Sequence, residues 1–114
     1  MRAEFGDLLQ GTLGILILKA LFLGPTHGYG IARWISDRSD GALAVEDATL
    51  YQALHRLAHK GWIDAEWGVS DNNRRARYYT ITRAGRAHVR AEATLWFRYA
   101  GAVTQVLRAS PALI

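Results

Sequence analysis

The sequence of 114 residues contains no cysteine. A disulfide framework, a cysteine-ligated zinc site and a thiol nucleophile are therefore excluded, and the absence fits a reducing cytoplasm. The sequence also lacks a glycine-rich phosphate loop, a nucleophile elbow and a distinct pair of carboxylates. His55 and His59 have a spacing that could chelate a metal, but no third ligand is evident. We therefore expect a protein that is not an enzyme and that has no metal and no cofactor.

A membrane-spanning run is missing as well. Residues 8–23 are strongly apolar, but they are few for a membrane span, and Gln10 and Lys19 interrupt them. The segment before them carries Arg2, Glu4 and Asp7 and is net negative, whereas a secretory signal begins with positive charge. We therefore expect residues 8–23 to form a buried helix in a soluble, cytoplasmic protein.

Positive charge is concentrated in the second part of the chain. Residues 1–71 contain six Lys or Arg and nine Asp or Glu, a net charge of −3. Residues 72–114 contain eight Arg and one acid, Glu92, a net charge of +7. Clustered arginine suits a polyanion such as nucleic acid, although charge alone more often marks a solvated surface.

Hydrophobic periodicity predicts four helices and one β-hairpin. The helices are expected at residues 8–23, from near Thr26 to Arg38, from after Glu46 to Lys60-Gly61, and from after Thr82 to about Leu107. Two alternating strands, at residues 62–67 and 77–82, flank a loop at residues 68–75. This order predicts a mainly α protein, a winged helix-turn-helix domain followed by a C-terminal helix. We expect the boundary between residues 1–82 and residues 83–114.

A winged helix-turn-helix places its second helix, here the third of the chain, in the major groove of DNA. Thr49, Gln52, His55 and Arg56 on that helix could donate or accept hydrogen bonds. The hairpin loop, or wing, carries neutral and positive side chains suited to the DNA backbone or the minor groove. These wing residues are Asn72, Asn73, Arg74, Arg75 and Arg77.

The chain resembles the PadR-type transcriptional regulators over nearly its whole length. The matching segments are LLQGTLGILILKAL, GPTHGYGI, TLYQALHRLAHKGWI and WGVSDNNRRARYYTIT followed by RAG. The elements His-Gly-Tyr and Leu-Tyr-x-x-Leu-x-x-Leu are fairly specific in combination. The length is similar to that of the short branch of the family, in which the C-terminal part is a single helix.

The resemblance implies a homodimer that usually represses transcription from a palindromic operator. It implies that Tyr29 lies near the DNA backbone and that Arg74 and Arg75 are wing-tip contacts. On the third helix, it implies that five residues lie at or near DNA: Thr49, Tyr51, Gln52, His55 and Arg56. Many relatives have proline where this chain has Gln52, so the operator sequence cannot be carried over.

The last helix carries a short heptad pattern. Val89, Trp96 and Val103 recur every seven residues, and three further apolar residues each lie four positions later. Together with one face of the first helix, this pattern predicts a dimer surface. The surface comprises Leu9, Leu13, Leu16, Val89, Ala93, Trp96, Ala100, Val103 and Leu107.

The resemblance also implies a site for a planar aromatic effector between the subunits, with Trp96, Phe97 and Tyr99 as its candidate residues. The alternative is that Trp96 packs in the dimer core without a ligand. Two alternatives for the whole protein remain open from the sequence. One is a winged-helix module that binds proteins rather than DNA, and the other is a sensor or carrier of aromatic compounds.

Overall fold

A computed structural model of the protein describes residues 4–111. Along the chain they form α1 (Gly6–Phe22), β1 (Thr26–His27), α2 (Gly28–Arg38), α3 (Asp47–His59), β2 (Ile63–Val69), β3 (Arg75–Ile81) and α4 (Arg83–Leu107). This architecture confirms the predicted fold class, a winged helix-turn-helix with a long C-terminal helix. Residues 1–3, which include Arg2 of the expected lead-in, and residues 112–114 lie outside the described part. Within residues 4–111, no helix is long and apolar enough to cross a membrane.

The core is built around α1, which explains why this helix is apolar on most of its circumference. Leu13, Ile17 and Leu18 are almost completely buried, and α1 packs against α2, α3, β3 and α4. Burial of each such side chain contributes about 1.5–3 kcal/mol. From α4, the only hydrophobic side chain in the described core is Val89.

The second helix begins two residues later than predicted. Thr26 and His27 form a short edge strand instead, which pairs antiparallel with Tyr79 and Tyr78 of β3. The sheet therefore has three strands in the order β1-β3-β2. A strand of two residues has no detectable periodicity, so the sequence pattern did not indicate it.

The wing strands extend further towards the wing tip than predicted, and the wing loop is correspondingly shorter, whereas Trp62 and Thr82 lie just outside the strands. The paired register runs from Ile63 opposite Ile81 to Val69 opposite Arg75, so residues 68, 69, 75 and 76 belong to strands. Gly68 stands in the segment that the sequence pattern assigns to the loop. It lies within β2, where a Cβ atom would approach Cδ2 of Tyr78 to 2.9 Å.

The predicted limits of α3 and α4 are confirmed. Gly61 follows α3 with a positive φ of 79°, a conformation that glycine adopts readily. The Thr82 hydroxyl accepts a hydrogen bond from the Gly85 amide at 3.0 Å and caps α4. The same hydroxyl donates to the Gly61 carbonyl at 2.7 Å, so one side chain joins the end of α3 to the start of α4.

Candidate nucleic-acid interface

The outer face of α3 presents four polar or aromatic side chains together. Leu50, Ala53, Leu54 and Leu57 face the core, and helical periodicity leaves the opposite face open. Four exposed residues line one shallow groove on that face: Tyr51, Gln52, His55 and Arg56. Thr49, the other predicted α3 residue, is half-buried and lines a cavity of about 110 Å³ beside the start of α1.

Two close approaches fix α2 against its neighbours. A Cβ atom on Gly28 would lie 3.1 Å from the hydroxyl oxygen of Tyr51, so the absence of a side chain there makes room for the Tyr51 ring. At Gly30 a Cβ atom would overlap the Thr26 hydroxyl. The Gly30 amide donates to Nδ1 of His27 at 3.0 Å, so His27 caps the helix. These glycines therefore serve close packing at the start of α2.

Tyr29 lies in the first turn of α2 and is 69% exposed. Its hydroxyl accepts a hydrogen bond from Nη1 of Arg33 at 3.3 Å, and Nε of Arg33 lies 3.5 Å from Oδ2 of Asp37. The hydrogen bond to Tyr29, together with the charge of Asp37, raises the pKa of Arg33 further above its already high value. The three side chains thus form a short surface chain along α2.

The wing tip is a tight turn between Val69 and Arg75. The Ser70 amide donates to the Arg74 carbonyl at 2.8 Å, and the Ser70 hydroxyl donates to Oδ1 of Asn72 at 2.6 Å. Asn73 has a positive φ of 61°, a conformation that asparagine tolerates better than most residues. Asn73 therefore shapes the turn, which presents Arg74 to solvent.

The two faces of the hairpin differ in charge. Because side chains alternate along a strand, Trp67, Arg75 and Arg77 lie on one face, and Asp64 and Glu66 lie on the other. The arginine face continues towards the core through Ala65 and the buried Tyr79. Positive charge is therefore collected on the face of the wing that also packs on the domain.

Two polar side chains modify the surroundings of the buried Tyr79. Burial raises the pKa of the Tyr79 hydroxyl, while the nearby charge of Arg77 acts in the opposite direction. The Tyr51 hydroxyl is close enough to add a further upward contribution. Tyr51 of α3 and Arg77 of the wing therefore lie near the same tyrosine.

Sequence reasoning missed the partners that hold the candidate DNA-contacting residues. Trp67 lies beside Arg75 and Arg77, and Arg33 lies beside Tyr29. Helical spacing could have indicated the pair of Tyr29 and Arg33, which are four residues apart. The contacts of Trp67 depend on the strand register, which the sequence pattern did not predict.

The predicted dimer residues divide into two groups. Leu9, Leu13 and Val89 are buried within their own chain, and Leu16, Ala93 and Ala100 are half-buried. Trp96, Val103 and Leu107 are 42%, 37% and 79% exposed. Of the predicted dimer residues, those that stay exposed therefore lie on the distal part of α4.

The predicted effector residues lie on the same distal part of α4. Phe97 and Tyr99 are each 69% exposed, and the ring of Phe97 meets that of Trp96 edge-on at 5.7 Å. Trp34 and Trp62, in contrast, are half-buried against the core. Within residues 4–111, no group of three or more His, Asp or Glu side chains could hold a metal ion.

Comparison with known proteins identifies relatives of this chain. The model of the transcriptional regulator PadR-like family matches residues 17–91. An uncharacterized protein from Lysinibacillus sphaericus is 37% identical over 84 residues, which cover 73% of this chain and 76% of that protein.

Solved structures share the fold. A PadR family transcriptional regulator from Eggerthella lenta is similar with a TM-score of 0.77 and 27% identity, over 91% of this chain and 88% of that one. Bacillus subtilis PadR in complex with operator DNA is similar with a TM-score of 0.64 and 21% identity, over 72% of this chain and 46% of that one. At 21% identity, the second likeness is evidence of the fold alone.

Proposed function

This chain belongs to the PadR-like family of transcriptional regulators, and we propose that it is a homodimeric, sequence-specific DNA-binding repressor. The observation that carries the proposal is the joint exposure of the polar α3 face and the arginine face of the wing. The shared fold of Bacillus subtilis PadR, whose structure includes operator DNA, supports the same use of these elements. Such a regulator would act in the cytoplasm.

In the proposed complex, α3 lies in the major groove. The amide of Gln52 can bond to both N6 and N7 of an adenine, and Arg56 can bond to guanine or to a phosphate. His55 and Tyr51 add hydrogen-bonding groups beside them. Thr49 would contact DNA only from the edge of this surface, since it is half-buried.

In the same complex, Tyr29 and the wing contact the DNA backbone. Arg74, Arg75 and Arg77 would neutralise phosphates, and Asn73 at the turn would add a neutral contact. The acidic Asp64 and Glu66 project from the opposite face of the hairpin, which reduces their repulsion of the phosphates. The wing thus supplies affinity, and α3 supplies sequence preference.

We propose residues 1–82 as the DNA-reading domain and residues 83–114 as the dimerisation helix and tail. Two copies joined through α4 would present two α3 helices to a palindromic operator. Its half-sites would be separated by one helical turn of DNA, about 34–36 Å, or by a multiple of that distance. Repression would follow from occupation of a promoter by this dimer.

A test of DNA binding uses Arg74→Ala combined with Arg75→Ala. Binding to the DNA upstream of the gene is measured against salt concentration, because each lost phosphate contact lowers the slope of log K against log salt by about 0.9. We expect weaker binding and a slope shallower by about 2. Arg98→Ala combined with Arg108→Ala removes the same charge from α4 and the residue that follows it, and it should leave the slope unchanged.

The results separate the DNA-binding function from its first alternative. If the wing variant and the parent protein bind with equal affinity and equal slope, a protein-interaction module is favoured. Equal losses in the wing pair and the α4 pair would mean that only the net charge matters.

We further propose that a planar aromatic compound regulates the dimer at the open α4 surface. Trp96, Phe97 and Tyr99 offer exposed rings for stacking there. Regulation requires the compound to bind one dimer geometry better than another. A compound that quenches tryptophan fluorescence and also weakens DNA binding supports this part, whereas quenching with unchanged DNA affinity favours a sensor or carrier.

A further inference from the structure

We propose that Trp67 is a positioning residue for DNA binding, because its indole holds the Arg75 and Arg77 side chains ready to contact the duplex. This inference rests on the DNA-binding function proposed above. It assigns a role to a tryptophan that lies outside the core and outside the predicted set of DNA-contacting residues.

The strand register brings the three side chains together. Trp67 of β2 is directly opposite Arg77 of β3, and the next pair on the same face is Val69 opposite Arg75. The guanidinium carbon of Arg75 lies 4.6 Å from the centre of the Trp67 ring, and that of Arg77 lies 5.7 Å from it. Both distances are within the range of a cation–π contact, so one indole contacts two arginines.

Core packing does not account for a tryptophan at this position. Trp67 is 57% exposed, whereas Ala65, two residues earlier on the same face, packs against the core. A large aromatic side chain that stays in water forgoes most of the hydrophobic gain of burial. Its ring contacts are instead with the two wing arginines.

Stacking favours binding because it restricts the arginines before they meet DNA. A free arginine side chain has many rotamers, and their loss on binding opposes association. A guanidinium that lies over a ring keeps its N–H groups at its edge, where they can donate to phosphate oxygens. Trp67 therefore limits the rotamers of Arg75 and Arg77 without occupying their donors.

The experiment compares Trp67→Leu and Trp67→Phe in the full-length protein. The probe is a fluorescein-labelled duplex from the region upstream of the gene, with an unrelated duplex of equal length as the reference. Leucine keeps an apolar side chain but has no ring, so we expect binding about 5- to 30-fold weaker, from two contacts of about 0.5–1 kcal/mol each. Phenylalanine should restore most of the affinity.

Two further readouts separate positioning from other roles. The salt slope of Trp67→Leu should equal that of the parent protein, because both arginines still reach phosphates. In a protein that already carries Arg75→Gln and Arg77→Gln, the change Trp67→Leu should lower the affinity for the promoter duplex by less than about 2-fold. No guanidinium then remains for the indole to hold. Val69→Ala removes an exposed apolar side chain from the same face and should leave the affinity unchanged.

The opposite results would overturn the inference. Unchanged affinity in Trp67→Leu would show that the contacts of Trp67 with the two arginines do not contribute to DNA binding. An equal loss in the Gln background, or no rescue by Phe, would mean that Trp67 contacts DNA directly, and an equal loss in Val69→Ala would point to general apolar surface. If the parent protein itself does not prefer the promoter duplex, the proposed function fails instead, which is a separate outcome.

Discussion

At the scale of single residues, the Tyr29 hydroxyl has one hydrogen-bond donor as its partner. It accepts a hydrogen bond from Arg33, and Asp37 holds Arg33 on its other side. The Tyr29 proton is therefore free to point away from Arg33, towards an acceptor outside the protein. A phosphate oxygen beside the start of α2 is an acceptor of that kind, and the amino end of the helix favours its charge.

We predict that Tyr29→Phe weakens promoter binding about 10-fold, the value of one hydrogen bond to a charged group. The salt slope should not change, because no positive charge is removed. Binding isotherms at several salt concentrations measure both quantities, and thermal unfolding checks that the fold is intact. Undiminished promoter affinity in the folded variant would show that the Tyr29 hydroxyl does not donate to a DNA phosphate.

At the scale of elements, α4 has two distinct parts. Its first turns are fixed to the domain through the buried Gly85 and Val89. Beyond them, one polar stripe runs along an otherwise largely apolar helix. The stripe consists of Thr94, Arg98, Gly101, Gln105 and Arg108.

Two glycines of α4 should respond to alanine in opposite directions. At Gly85 a Cβ atom would overlap the Trp62 carbonyl oxygen and lie 2.9 Å from Cγ1 of Ile81, whereas at Gly101 nothing lies within 4 Å. We predict that Gly85→Ala lowers the midpoint of thermal unfolding by about 5–15 °C, from overpacking of 1–3 kcal/mol. Gly101→Ala should raise the midpoint, since alanine is more favourable than glycine inside a helix by about 1 kcal/mol.

Calorimetry on both variants measures the two shifts. A stable Gly85→Ala would contradict the tight junction between α4 and the hairpin. A destabilised Gly101→Ala would mean that the polar stripe is covered in the assembled protein.

The elements were predictable from the sequence to different degrees. The limits of α3 and α4 follow from a long apolar period with clear end signals at Gly61 and Thr82. The edge strand β1 is too short for any period. The wing strands were predicted too short because Gly68 resembles a turn signal. Glycine is needed there because the Tyr78 ring leaves no room for a Cβ atom, a contact that exists only in the folded protein.

The candidate site divides in the same way. Helical spacing alone places Gln52 and Arg56 opposite the core with His55 at the flank, and all three side chains are exposed. The pairing of Trp67 with Arg75 and Arg77 could not be predicted, because a shift of one residue in strand register would move Trp67 to the other face. Local periodicity therefore indicates which residues face outward, but not which partners hold them.

At the scale of the whole molecule, the single chain is extended. Its radius of gyration is 16.4 Å and its longest dimension is 61 Å. A compact domain of this length would have a radius of about 13 Å. The difference reflects α4, whose distal part leaves Leu95, Val106 and Leu107 more than half exposed. An open apolar surface of this kind marks a site of association.

We predict that the protein in solution has about twice the mass of one 12.7 kDa chain. Val103→Glu should shift it to the monomer, because burial of an unpaired carboxylate at a dimer interface is costly. Gln105→Glu introduces the same charge on the polar stripe and should leave the dimer intact. Sedimentation equilibrium measures the masses, and a dimer that tolerates Val103→Glu would place the interface elsewhere.

Because Gly85 and Val89 pack the first turns of α4 on the domain, a change in that packing would turn the rest of the helix. From Val89 to Leu107 it extends about 27 Å, so a rotation of about 10° at its root displaces the far end by about 5 Å. In a pair of such chains, a small angular adjustment near Gly85 would alter the gap between the two α3 helices by several ångströms. Operator spacing would then depend on packing around the root of α4, at a distance from every side chain that reads a base.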